Sequence, residues 1–121
     1  MATTPEALFV QNKIKKTFDK LIKEGLPLYY FIKEAGSIRG IPDIVGCCNG
    51  HFFAWEAKPS AGEAAKTSGR IVLQKYTLTR IHQAEGIGMI VHPENFEESL
   101  NYLLEHTKLR ARYVDYDVVV P

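Results

Sequence analysis

Cysteine, net charge and long apolar runs are all scarce in this chain, and each shortage removes a class of protein. The two cysteines, Cys47 and Cys48, are adjacent. Neighbours cannot staple distant segments together, and inside an apolar stretch they read as small buried hydrophobes suited to a reducing cytoplasm. Cys47, Cys48 and His51 do not make a zinc site, because successive strand residues face opposite ways and no second ligand cluster follows. No segment approaches the roughly 20 apolar residues a bilayer span requires. The opening Met1-Ala2-Thr3-Thr4-Pro5-Glu6 has no basic flank ahead of an apolar stretch, so a cytoplasmic protein with no membrane partner is expected. The formal net charge is only +1, yet it divides into +3 over residues 1–41, +2 over 42–80 and −4 over 81–121. A positive upstream part suits phosphates, and a solvated helix face has the same composition.

The 121 residues are 45% hydrophobic and 24% charged, which is globular composition for a single domain spanning residues 1–121. Its core is expected over about 5–106, and the tail 107–121 offers an extra strand or a dimer contact.

Val10, Ile14, Phe18, Leu21 and Ile22 recur at helical spacing among Lys13, Lys15, Lys16, Lys20 and Lys23, predicting an amphipathic helix over residues 5–24 that Gly25 stops. Leu28-Tyr29-Tyr30-Phe31-Ile32 reads as a strand whose aromatics pack the core. After the Gly36, Gly40 and Pro42 turn, residues 43–48 form a second strand. Asn49-Gly50 tolerates the positive φ of a type I′ turn and leads into a third strand over 51–58. Residues 59–70 read as a long loop with a helical turn at 63–66. A helix over 72–85 should bury Leu73, Tyr76, Ile81 and Ala84; a strand over 87–92 and a helix carrying Phe96, Leu100, Leu103 and Leu104 follow. Residues 113–120 have strand composition. This order predicts an α/β fold, a mixed sheet flanked by helices.

The chemistry lies in Pro42-Asp43 and in Glu56-Ala57-Lys58, with twelve residues between the two acids. Alternation along a strand points Glu56 and Lys58 the same way, and the hairpin folds their strand back beside Asp43. Two carboxylates and an ammonium then meet at one end of the sheet. Phosphodiester hydrolysis uses such a set: hard oxygens hold Mg²⁺ or Mn²⁺, and the ion polarises the phosphate and acidifies its water. Lys58 would orient that water or offset developing charge, and the Ala57 carbonyl offers the metal another oxygen. An Asp after Pro is also a common turn residue, and Glu-x-Lys a common solvated ion pair. The apolar run Phe52-Phe53-Ala54-Trp55 before Glu56 favours a buried, functional pair.

Gly40-Ile41-Pro42-Asp43-Ile44-Val45, Glu56-Ala57-Lys58, Gly69-Arg70 with Gln74, and Gly86-Ile87-Gly88 occur in the order seen in one nuclease family. Over about residues 5–105 the chain resembles the VRR-NUC family of PD-(D/E)xK nucleases. The resemblance implies a restriction-endonuclease-like αβββαβα core and a Mg²⁺- or Mn²⁺-dependent, structure-selective endonuclease acting as a homodimer on branched DNA such as Holliday junctions. It would work in the host cytoplasm if phage-encoded, and without a small-molecule cofactor. By that resemblance Asp43 and Glu56 bind metal, Lys58 is the catalytic lysine and Gln74 supports the site. The family also places a glutamate on its first helix, where this chain has Val10 or Gln11; Glu6, one turn earlier, either replaces it or belongs to a helix cap. Residues 59–68 look like an insertion relative to the family. Arg70, Lys66, Lys75 and Arg39 are the candidate phosphate contacts, while His82 reads as a surface or packing residue. Two other functions fit the same residues: a catalytically weak DNA-binding module of this fold, and an interaction subunit in which Glu56 and Lys58 merely pair.

Overall fold

The computed structural model describes residues 4–33, 40–65 and 69–107, with backbone alone at Gly69 and Arg70. The first helical run starts where the Thr4 side chain accepts the Ala7 N–H at 3.0 Å and Pro5 takes the first turn. It comprises α1 (Pro5–Phe9), a π-helical segment (Val10–Lys15) and α2 (Lys16–Lys23). The expected single α-helix is thus interrupted, and its buried stripe explains why. Val10, Ile14 and Phe18 are all buried at a constant spacing of four. Each four-residue step overshoots a 3.6-residue turn by about 40°, and the wider π turn takes up the excess.

Strands β1 (Leu28–Ile32), β2 (Ile44–Cys48), β3 (His51–Ala57) and β4 (Ile87–Val91) form one sheet in that order. The first three are antiparallel neighbours, and β4 joins β3 in parallel, so the sheet is mixed as expected. Asn49 and Gly50 close the β2–β3 hairpin with φ of 50° and 87°, the positive pair that its sequence predicts. A helical turn, α3 (Ala61–Ala64), is capped by Ser60 and lies slightly ahead of its expected place. Helix α4 (Gly69–Gln83) begins three residues before the predicted start, and α5 (Phe96–His106) follows a short 3₁₀ turn, Pro93–Asn95. The strand expected over 113–120 lies outside the described residues. No described helix is long and apolar enough to cross a membrane.

One sheet face packs on the α1–α2 run and α5. There Trp55, fully buried, has ring neighbours Phe18 at 5.0 Å, Phe96 at 6.2 Å and Phe53 at 6.3 Å. Such edge and tilted contacts contribute beyond the area they bury. Of the β1 aromatics only Tyr30 joins this core, 5.2 Å from Phe18, with its hydroxyl on Asp19. Tyr29 is 71% and Phe31 54% exposed, because alternation sends them to the opposite face, where α4 packs chiefly on β4 and β3. Phe52 and Cys47 are exposed on that face too, so Cys47 is not the buried hydrophobe expected, whereas Cys48 is. Both cysteines are free.

Helix α4 sits directly on β4: a Cβ on Gly88 would meet the Leu78 carbonyl oxygen at 3.0 Å. Its buried positions are Ile71, Gln74 and Leu78, while Leu73 and Tyr76 are exposed. The stripe expected from hydrophobicity is displaced because the inward face contains Gln74, whose amide has a buried partner.

Candidate active site

The site forms at the β2 start and the β3 end. Asp43 immediately precedes β2, and its Oδ2 accepts the Ala57 N–H at 2.9 Å. This bond ties the carboxylate to the neighbouring strand. Glu56 faces α4 and is only 1% exposed, its Oε1 accepting from Gln74 Nε2 at 3.1 Å. Glu6 arrives from the first turn of α1. Its carboxylate, Asp43 and Glu56 place one oxygen each within 4.8 Å of one another. Val10 is instead spent in the core and Gln11 is exposed, so among these helix-one positions Glu6 is the one that joins the acids.

Three carboxylates so close, one of them buried, do not share full negative charge. Burial chiefly, then the hydrogen bond and charge of Asp43, push the Glu56 carboxyl up from 4.5 to about 9, while Lys58 and Lys33 pull the other way. Glu56 therefore holds a proton at neutral pH when no cation is bound. Lys58, 8% exposed, continues β3 with its N–H on the Val91 carbonyl at 2.8 Å. Among the described residues no ion pair joins it to Glu56, so the simple surface pair does not describe this geometry. Gln74 Oε1 is buried with no hydrogen-bond partner. Three hard oxygen donors beside an orphaned amide oxygen fit a hydrated Mg²⁺ or Mn²⁺.

Asp43, Glu56, Lys58 and Gln74 thus fall in one region with Glu6. Ala57 contributes its N–H to Asp43. Lys75 is exposed on α4, and among the described residues no contact ties it to the acids. Lys66 and Arg39, and the Arg70 side chain, lie outside the described residues. His82 is spent on the backbone, its Nε2 2.6 Å from the Gly88 carbonyl oxygen. A residue missed by the sequence reading is Lys33, whose Nζ is 3.8 Å from Asp43 Oδ1. Its signal was present: Tyr29, Phe31 and Lys33 continue one alternation, opposite the strand that Asp43 opens. Beside the site a groove of about 520 Å³ is lined by Ile41, Phe52, Leu73, Tyr76 and Arg80, among others.

Compared with protein-family models, with curated proteins and with solved structures, the chain matches none.

Proposed function

We propose that the chain is a metal-dependent DNA endonuclease with a PD-(D/E)xK core of the VRR-NUC type, hydrolysing phosphodiester bonds in branched DNA such as Holliday junctions. The observation that carries this reading is the convergence of Glu6, Asp43 and Glu56 within 4.8 Å of one another. The element order, helix, three strands, helices, strand, helix, supports it. Branched DNA as the preferred form comes from the motif resemblance.

In this reading Glu6, Asp43 and Glu56 hold Mg²⁺ or Mn²⁺, which supplies Lewis acidity at the phosphate. Asp43 arrives already oriented by the Ala57 N–H. Glu56 would have to give up its proton to hold the cation, and Gln74, hydrogen-bonded to it, would keep the carboxylate in position. Lys58, held by its buried strand end, offsets negative charge that develops on the phosphate oxygens. A homodimer belongs to the same proposal. The exposed Tyr29, Phe31 and Phe52 on one sheet face support it, since apolar surface of this kind is characteristic of interaction sites.

The test is a cleavage assay with Mn²⁺ over linear, nicked, flapped and four-way DNA. Asp43→Asn and Lys58→Ala should each slow cutting at least about a hundredfold while leaving the fold and DNA affinity in place. Wild-type protein that binds DNA but never nicks it would leave only the binding-module reading.

A further inference from the structure

Lys33 lies one step beyond β1, and its N–H donates to the Asp43 carbonyl at 2.7 Å. The β1–β2 ladder therefore continues past the Ile32–Ile44 pair and sets Lys33 against Asp43. Its side chain is about four-fifths buried. A partly buried ammonium beside a carboxylate has an ordinary explanation, a structural ion pair. The distances make that pair a loose one. The Lys33 Nζ hydrogen bond goes to the neutral Ile41 carbonyl at 3.0 Å, while Asp43 Oδ1 stays 3.8 Å away, beyond hydrogen-bond reach. Where this chain does build a lysine–aspartate pair, Lys15 with Asp19, the atoms close to 2.7 Å. Asp43 meanwhile has its other oxygen on Ala57. Lys33 is held near the acids by a carbonyl, and an ammonium has three donors, of which, among the described residues, Ile41 takes one.

Its position across the sheet suggests what the other donors meet. Lys33 is on the β1 line, Asp43 on β2, and Glu56 with Lys58 on β3. Neighbouring strands stand about 4.8 Å apart, so the two lysines flank the carboxylates at about two strand spacings. A nucleic-acid strand laid across this end of the sheet meets an ammonium, the acid cluster and a second ammonium in turn.

We propose that Lys33 is a phosphate-binding residue of this site, holding a phosphodiester next to the one that is cut, on the β1 side, while Lys58 serves the cut phosphate itself. The assignment rests on the nuclease reading and adds a backbone contact that is blind to base sequence.

The experiment compares wild type, Lys33→Gln and Lys33→Arg by fluorescence anisotropy with a labelled four-way DNA junction, in Ca²⁺ from 50 to 200 mM salt. Gln retains a donor for the Ile41 carbonyl without the charge. One lost phosphate contact reduces the slope of log affinity against log salt by about 0.9, so the gap between wild type and Lys33→Gln should shrink about threefold over that range. Lys33→Arg should recover both affinity and slope. On DNA-free protein the rise in Tm with Mn²⁺ should persist in all three. An unchanged slope in Lys33→Gln, or loss of its Mn²⁺-dependent Tm rise, would overturn the assignment, the second outcome marking a residue that only organises the acids. Wild-type protein with no salt-sensitive DNA binding would instead bring down the nucleic-acid reading, and this assignment with it.

Discussion

Replacing Glu56 by Gln separates what burying this carboxyl costs from what it does. In the folded chain its pKa is pushed from 4.5 to about 9, by burial first and by Asp43 second. Because the folded value lies above the unfolded one, the native chain keeps a proton that the unfolded chain has lost. Stability is then full below about pH 4.5 and declines as pH rises towards about 9. Each pH unit in this window costs at most about 1.4 kcal/mol, and pH 7.5 lies about three units in, which bounds the loss near 4 kcal/mol. Coupling to Asp43 and local relaxation absorb part of it, and we expect about 2 kcal/mol. The neutral amide of Gln at this position can donate to Asp43 where the carboxyl proton does, and its oxygen can accept from Gln74, so the variant keeps both bonds with no proton to lose. In EDTA at pH 7.5, Glu56→Gln should therefore melt about 8 °C above wild type, and at pH 4.5 the two should coincide. Mn²⁺ should reverse the order, because only wild type can exchange its proton for the ion, with affinity rising towards tenfold per pH unit below about pH 9. Calorimetric melts at pH 4.5, 6, 7.5 and 8.5, with EDTA or Mn²⁺, read all of this. Parallel, pH-independent melting curves for the two proteins would refute the argument.

Gly88→Ala should destabilise by about 1–3 kcal/mol, because its Cβ meets Leu78 backbone atoms and α4 must move; an unchanged urea midpoint would contradict the packing account. The same displacement should slow cleavage, since α4 also carries Gln74 to Glu56. Cys47, exposed on the aromatic sheet face, should react readily with a thiol reagent in dilute native protein and more slowly as concentration brings copies together, whereas Cys48 should stay silent until unfolding. Labelling that is independent of concentration would count against a dimer built on that face.

All four described strands, and the helix that precedes each half of the sheet, were legible because their signals are local: a period of two, a period near four, and Asn49-Gly50 between two apolar runs. Asp43, Glu56 and Lys58 were legible for the same reason, as hairpin geometry alone brings them together. Other features depend on tertiary context. Apolar periodicity favoured Leu73 and Tyr76 as the inward face of α4, but the helix turns Gln74 inward because Glu56 gives its amide a partner. The exposure of Tyr29 and Phe31 follows from how much of the sheet α4 covers, which no window of sequence reports. Lys33 went unread because its importance depends on register with Asp43, ten residues later, just ahead of a strand it pairs with. Glu6 could be named but not placed, since its approach to the acids depends on the pitch of the helix that follows it.

That pitch makes the third carboxylate a matter of helical winding. The π segment, Val10–Lys15, holds one residue more than an α-helix would need to span the same stretch. Were the same six residues wound as ordinary α-helix, everything before them would swing by about 100°, the angle of one helical residue. Phe18 and Ile14 could stay in the core while Glu6 faced away from Asp43. The acid cluster and the core are thus set by different properties of one helix, composition for the packing and winding for the carboxylate, and loss of the π turn could disarm the site without unfolding the protein.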